Sequence, residues 1–162
     1  MSKFPPVTQY MTTRLVTFRP DTFLWEAIDA MLKKKISGAP VLNEKGELIG
    51  MLSEVDCLRL LVDGLYNNEP RQMLNVGDYM STNIQTISSN SSIFDAANAF
   101  INHGFKRLPV VENGKLVGQI SRVDVLKAVQ EMRPKIKHVP DTWRGREPVL
   151  PEYKKTRHTK NS

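Results

Sequence analysis

"GQISRVDVLKAV" at residues 118–129 is a second version of "GMLSEVDCLRLL" at residues 50–61. Gly, Ser, Val, Asp and Leu recur at matched positions, and each time a Ser stands three residues ahead of an Asp. Read locally, Ser53-x-x-Asp56 and Ser121-x-x-Asp124 have the spacing of a capping box. The Ser at the N-cap accepts from the N3 backbone N–H, and the acidic side chain at N3 reaches back to the N-cap amide. Each phrase therefore marks the start of a helix, near Glu54 and near Arg122.

The repetition extends well beyond these phrases. An offset of 69 residues lays Met80 on Met11, Thr86 on Thr17, Ala96 on Ala27 and "LPVV" (108–111) on "APVL" (39–42). With one residue dropped in the following turn, "ENGKLVG" meets "NEKGELIG" and the two phrases coincide. Fixed-period self-similarity is the first thing to settle in a sequence. Two copies make a pseudo-symmetric pair.

Both copies spell the same order of elements. A short extended run comes first, "LVTF" (15–18) and "IQTI" (84–87). An amphipathic helix follows, with Leu24, Ile28, Met31 and Leu32 at helical spacing and Ile93, Ala97, Phe100 and Ile101 repeating it. Two strands around an Asn/Gly turn form a hairpin, and the capped helix closes the unit. "VTQYM" and "VGDYM" read as a short helix or turn ahead of each copy. The expected fold is α/β, more narrowly α+β: two pseudo-symmetric β-α-β-β-α units packed sheet to sheet. A single unit of about 55 residues is marginal alone, and a pair buries more surface. The expected boundaries are 6–66 and 76–132 for the units, with a polar linker at 67–75 and a basic, Pro-containing tail at 133–162, extended or partly disordered.

Composition narrows the function. Hydrophobic residues make up 40% and charged residues 25%, ordinary values for a soluble globular chain. Apolar runs fall short of the roughly 18 residues of a membrane span, and "MSKFPPVTQYM" has no apolar core of a secretory signal. The lone Cys57 fits a reducing cytoplasm and reads as a small buried hydrophobe. After Met132, nine Lys/Arg stand against three acids, which equals the whole chain's net charge of +6. The body is therefore balanced, and the tail supplies the basicity.

Catalytic signatures are missing. The chain shows neither a Gly-x-x-x-x-Gly-Lys-Ser/Thr loop nor Gly-x-Gly-x-x-Gly, and no His or Cys spacing of a metal site. His103 reads as a basic residue near a helix end, and "SSNSS" (88–92) as a loop with a helix cap. Trp25 and Phe94, at equivalent helix positions, read as packing between helices.

The segments "SGAPVL…GELIGMLSEVDCLRLL" and "KRLPVV…GKLVGQISRVDVLKAV" resemble the CBS domain, the module named for cystathionine β-synthase, and their tandem resembles a Bateman module. The resemblance runs from about Pro6 to Met132. It implies a regulatory, non-catalytic ligand sensor with adenosine-containing ligands in clefts between the copies: AMP, ADP, ATP or S-adenosylmethionine. It implies that Asp56 and Asp124 accept from ribose hydroxyls, and that Ser53 and Ser121 sit near phosphate with the helix N-terminal amides. Thr17 and Thr86, with Gly38, Ala39 and Pro40 and with Arg107, Leu108 and Pro109, would border the adenine. It also implies a flat homodimer with two-fold symmetry built on the helices, and a regulated partner protein.

The residues add an asymmetry. Lys106, Arg107 and Arg122 flank the second motif where Ser37, Gly38 and Glu54 stand in the first. Phosphate-rich ligands are therefore expected in the Asp124 cleft, while the Asp56 cleft is expected either to stay empty or to take less anionic adenosyl compounds such as S-adenosylmethionine. Two other readings stay open. One is a ligand-free interaction module whose Ser-x-x-Asp phrases are helix caps only. The other is a nucleic-acid binder acting through the tail, disfavoured by the tail's few aromatics (Trp143 and Tyr153).

Overall fold

The computed structural model describes residues 3–64 and 74–133. Most of the 67–75 linker and all but the first residue of the 133–162 tail lie outside the described residues.

A single turn of 3-10 helix, Val7–Gln9, opens the chain. The first repeat then forms α1 (Leu24–Lys34), β1 (Gly38–Leu42), β2 (Leu48–Ser53) and α2 (Glu54–Arg59), which runs on into a π-helical turn, Leu60–Gly64. The second places α3 (Val76–Tyr79) and β3 (Ile87–Ser88) ahead of the same order, α4 (Ile93–Asn102), β4 (Arg107–Glu112), β5 (Lys115–Ser121) and α5 (Arg122–Glu131). Helices α2 and α5 begin at the residues the capping boxes predict.

Each sheet is built on an antiparallel hairpin, β1 with β2 and β4 with β5. Asn113 and Gly114 both have positive φ, 51° and 77°, and close the second hairpin in two residues. The first turn is longer. There Asn43 Oδ1 accepts from the Lys45 and Glu47 amides, each at 3.0 Å. The first strands are shorter than their sequences suggest. β3 is two residues lying parallel to β4, and its counterpart is a single parallel bridge from Phe18 to Val41. The register is preserved, because Ile87 pairs with Val110 as Phe18 pairs with Val41.

Two apolar cores result. One gathers Phe18, Leu24, Ala27, Met31, Ala39, Val41, Leu52, Leu60 and Val76. The other gathers Ile87, Ile93, Ala96, Phe100, Leu108, Val110, Ile120, Val125, Ala128 and Val7. The last member of each list comes from the other repeat's leading segment. Val7 is fully buried in the second core and Val76 in the first. Backbone bonds enforce the exchange. Val7 N–H donates to Ser91 O at 2.9 Å and Ile93 N–H to Pro5 O at 2.9 Å. At the equivalent place Val76 N–H donates to Thr22 O at 2.8 Å and Leu24 N–H to Leu74 O at 2.8 Å.

The exchange continues along the sheets. Thr12 pairs with Gln119 of β5, and Ser81 with Met51 of β2. It also explains the glycine that opens each repeated phrase. Met11 lies across Gly118, where a Cβ would fall 2.5 Å from its Sδ, and Met80 crosses Gly50 in the same way.

The buried helix faces differ from the expected stripe. In α1 the interior takes Leu24, Ala27 and Met31 and leaves Leu32 at 72% exposure. In α4 it takes Ile93, Ala96 and Phe100 and leaves Ile101 at 81%. Small Ala27 and Ala96 let each helix lie close on its sheet. Trp25 and Phe94 are both half exposed. Phe94 stacks on Phe4, with centroids 5.1 Å apart, so this ring packs against the leading segment.

Candidate functional site

Both capping boxes form. Ser121 N–H and Oγ–H donate to Asp124 Oδ2 at 2.9 and 2.8 Å, and Asp124 N–H donates to Ser121 Oγ at 3.2 Å. Ser53 and Asp56 repeat this at 2.9, 2.9 and 3.2 Å. One carboxylate oxygen of each Asp thus holds its own helix start. The other oxygen of Asp124, Oδ1, lies 4.0 Å from Lys127 Nζ.

Asp124 is part of the wall of a cavity of about 290 Å3. The second repeat contributes Arg107, Gln119, Ser121 and Asp124 to its wall. The first contributes Ile36 and Gly38, together with Thr12, Arg14, Leu15 and Val16 from the segment that crosses between the repeats. The crossing segment is held at both ends. Thr12 and Gln119 exchange two backbone bonds of 2.9 Å, and Phe18 N–H donates to Pro40 O at 2.9 Å.

Of the residues singled out from sequence, the cavity brings together Gly38, Arg107, Ser121 and Asp124. The others lie elsewhere. Ala39 and Leu108 are core residues, because strand alternation turns them inward. Pro40 and Pro109 are buried, and the Pro40 carbonyl is engaged by Phe18. Thr17 and Thr86 are exposed outside this wall. Ser53 and Asp56 form the equivalent helix start, with Asp56 only 8% exposed. Lys106 is exposed and its carbonyl accepts from Arg122 N–H at 3.3 Å, while Arg122 Nε donates to Phe105 O at 2.8 Å. Arg122 thus ties down the loop before β4.

Sequence reading did not single out Thr12, Arg14, Leu15, Val16, Ile36 or Gln119. Gln119 carried a signal, since it stands opposite Met51 inside the repeated phrase. The crossing segment carried none, because its place depends on which sheet edge it joins.

Cys57 is the positional equivalent of Val125 and is partly buried. Burial pushes its thiol pKa up, and the neighbouring Asp56 and Glu54 charges add to this, so the thiol stays protonated. Among the described residues, no cluster of three or more His, Cys, Asp or Glu is placed to hold a metal ion. Among the same residues, no helix is long and apolar enough to cross a membrane.

Two β-α-β-β-α units, exchanging their leading segments around a cavity with an Asp at a helix start, define a tandem-repeat class of α+β module. The chain belongs to the CBS domain family, whose model matches residues 7–63 and 76–131. Among its relatives, the CBS domain-containing protein YhcV of Bacillus subtilis is 33% identical over 127 residues, covering 78% of this chain and 85% of YhcV. The uncharacterized protein MJ1225 of Methanocaldococcus jannaschii is 33% identical over 122 residues, covering 75% of this chain but only 42% of that longer protein. Among solved structures, CBSX2 in complex with AMP superposes with a TM-score of 0.70 at 29% identity, covering 80% of this chain and 99% of that one. CBSX2 is a protein of Arabidopsis thaliana.

Proposed function

We propose that the chain is a non-catalytic regulatory module that binds an adenosine-containing ligand between its repeats and passes that occupancy to a partner protein. The observation that carries this is the cavity walled by both repeats, with Ser121 and Asp124 at its α5 side. The complex of its relative CBSX2 with AMP supports the ligand class. AMP, ADP, ATP and S-adenosylmethionine are the candidates, and none is needed as a resident cofactor.

The chemistry suits that ligand. A carboxylate only accepts hydrogen bonds, so Asp124, whose Oδ2 serves the capping box and whose Oδ1 stands outside it, suits a ribose diol. Leu15, Val16 and Ile36 give the apolar wall a purine ring needs. A ligand touching both repeats binds one mutual arrangement better than another, and it shifts the equilibrium by that difference in affinity. We place the module in the cytoplasm, the reducing compartment that suits a lone cysteine, as a homodimer formed through the exposed faces of α2 and α5.

Asp124→Ala removes a charge-assisted hydrogen bond and is expected to weaken AMP binding at least about tenfold, measured by calorimetry. In the same assay, a wild-type chain that binds none of the four candidates gives way to a second reading, a ligand-free interaction module. That reading rests on two observations: both Ser-x-x-Asp phrases do cap their helices, and α2 and α5 present exposed apolar side chains.

A further inference from the structure

Tyr10 and Glu131 stand 121 residues apart in sequence and meet in the fold, where Tyr10 Oη–H donates to Glu131 Oε2 at 2.6 Å. Tyr10 ends the Val7–Gln9 turn, two residues ahead of Thr12, where the cavity wall begins. Its ring packs on the second core. Glu131 is the last residue of α5, the helix that opens at Ser121 and Asp124 in the same wall. The backbone exchange between Thr12 and Gln119 already joins the crossing segment to the second repeat at the cavity. The Tyr10–Glu131 bond joins them a second time, about 10 Å beyond Asp124 along the helix at 1.5 Å per residue.

Two features set this bond apart from an incidental surface contact. The helix dipole disfavours an acid at a C-terminal end, and the last turn of α5 carries no base to offset it. Glu131 is instead engaged by a hydroxyl. That hydrogen bond pushes the Tyr10 pKa up, so the phenol remains a donor. The sequence also writes the pair twice, since Tyr79 and Asp63 stand at the matched positions of the first repeat. There α2 gives way to the π-helical turn at Leu60, before Asp63 is reached, whereas α5 stays α-helical through Glu131.

We propose, resting on the adenosyl reading above, that this bond is a latch, with Tyr10 and Glu131 as positioning residues that carry occupancy of the cavity along α5 to its exposed apolar face. A ligand in the cavity touches the crossing segment on one side and the start of α5 on the other. Buried Val125 and Ala128 anchor the middle of that helix, while Val123, Leu126 and Val129 are exposed. A shift at its start therefore reaches its other end and moves the exposed face with it. Holding both wall elements in one arrangement also holds Tyr10 and Glu131 in register, so the occupied cavity favours the closed latch. Opening it needs no unfolding, because Glu131 is exposed and Tyr10 partly so.

The test is amide hydrogen exchange along α5, with AMP and S-adenosylmethionine as separate probes, in wild type, Tyr10→Phe, Glu131→Ala and Glu131→Gln. In wild type the tighter-binding probe is expected to slow exchange at the start of α5 and also in its last turn, residues 128–131, there on the order of tenfold. Tyr10→Phe keeps the ring and Glu131→Ala is a surface change. Each is expected to lose the slowing in the last turn and to keep it at the start. Glu131→Gln retains an acceptor and is expected to preserve most of it. Last-turn slowing that survives both Tyr10→Phe and Glu131→Ala overturns the latch, as does slowing confined to the start of α5 in wild type. Equal loss in Glu131→Gln and Glu131→Ala overturns it too, since a general loosening of the helix end would then be the cause. In these cases the adenosyl reading stands. No slowing anywhere in α5 with either probe overturns both.

Discussion

Ser-x-x-Asp occurs a third time, as Ser92-x-x-Asp95, and there too it closes a full capping box. It lies away from the cavity wall. The motif by itself is therefore a helix start, and only its surroundings make Asp124 different. Asp95 shows what the box does for a carboxylate. The Ser92 backbone N–H, then the Ser92 hydroxyl, hold its pKa below the ordinary value, with slight burial opposing them. A carboxylate depressed in the folded state stabilises the fold above its unfolded pKa, about 4, and this contribution is lost as pH falls through the folded value. Asp95→Asn is expected to flatten the acid side of the stability–pH curve by about 0.5 kcal/mol, a small effect because the group is exposed. Urea melts between pH 5 and pH 3 on the order of one per half unit would show it. An unchanged slope would mean the box contributes no charge-dependent stability.

Among the elements, the crossing segments do more than join helices and strands. Val7–Gln9 precedes the first repeat in the chain yet completes the second core, and Val76–Tyr79 does the reverse. Each core is incomplete without a piece from the other copy. Val7→Ala is therefore expected to cost about 2 kcal/mol. Its effect should appear in an unexpected place. Amide exchange should quicken in α4, whose first amide bonds to Pro5 O, more than in α1. Faster exchange confined to α1 would contradict the crossing. The first crossing segment goes on to supply Thr12, Arg14, Leu15 and Val16 to the cavity wall, so a ligand there touches one of the two connections between the repeats.

Across the molecule, Glu47 bridges Lys115, its own repeat-equivalent, at the point where the two hairpins meet. The pseudo-two-fold therefore passes there and relates β2 to β5 and α2 to α5. It also relates two exposed apolar stripes: Val55, Leu58 and Leu61 on α2 with its π-turn, and Val123, Leu126 and Val129 on α5. Scattered apolar side chains need no explanation, but matched stripes of this kind mark contact surfaces. A second copy related by two-fold symmetry would meet them with stripes of the same kind. Leu126→Asp is expected to turn a dimer into a monomer in sedimentation velocity at micromolar concentration, without lowering the far-ultraviolet helix signal. A monomeric wild-type chain would leave these faces for a different partner.

The amino-acid order determined the repeat, the order of elements, the hairpin turns and the starts of α2 and α5. All of these follow from local periodicity, turn residues and caps that act within a few residues. The family resemblance pointed to Ser121, Asp124, Arg107 and Gly38 among its candidate residues, and these four line the cavity. Only the tertiary structure decided that Val7 enters the second core, that Ala27 and Ala96 outrank Leu32 and Ile101 for burial, and that Arg14 rather than Lys106 or Arg122 faces the cavity. Those outcomes depend on which distant sheet edge a short segment joins. Such pairing is settled by backbone hydrogen bonds and packing across most of the chain's length, and a local pattern carries no trace of it.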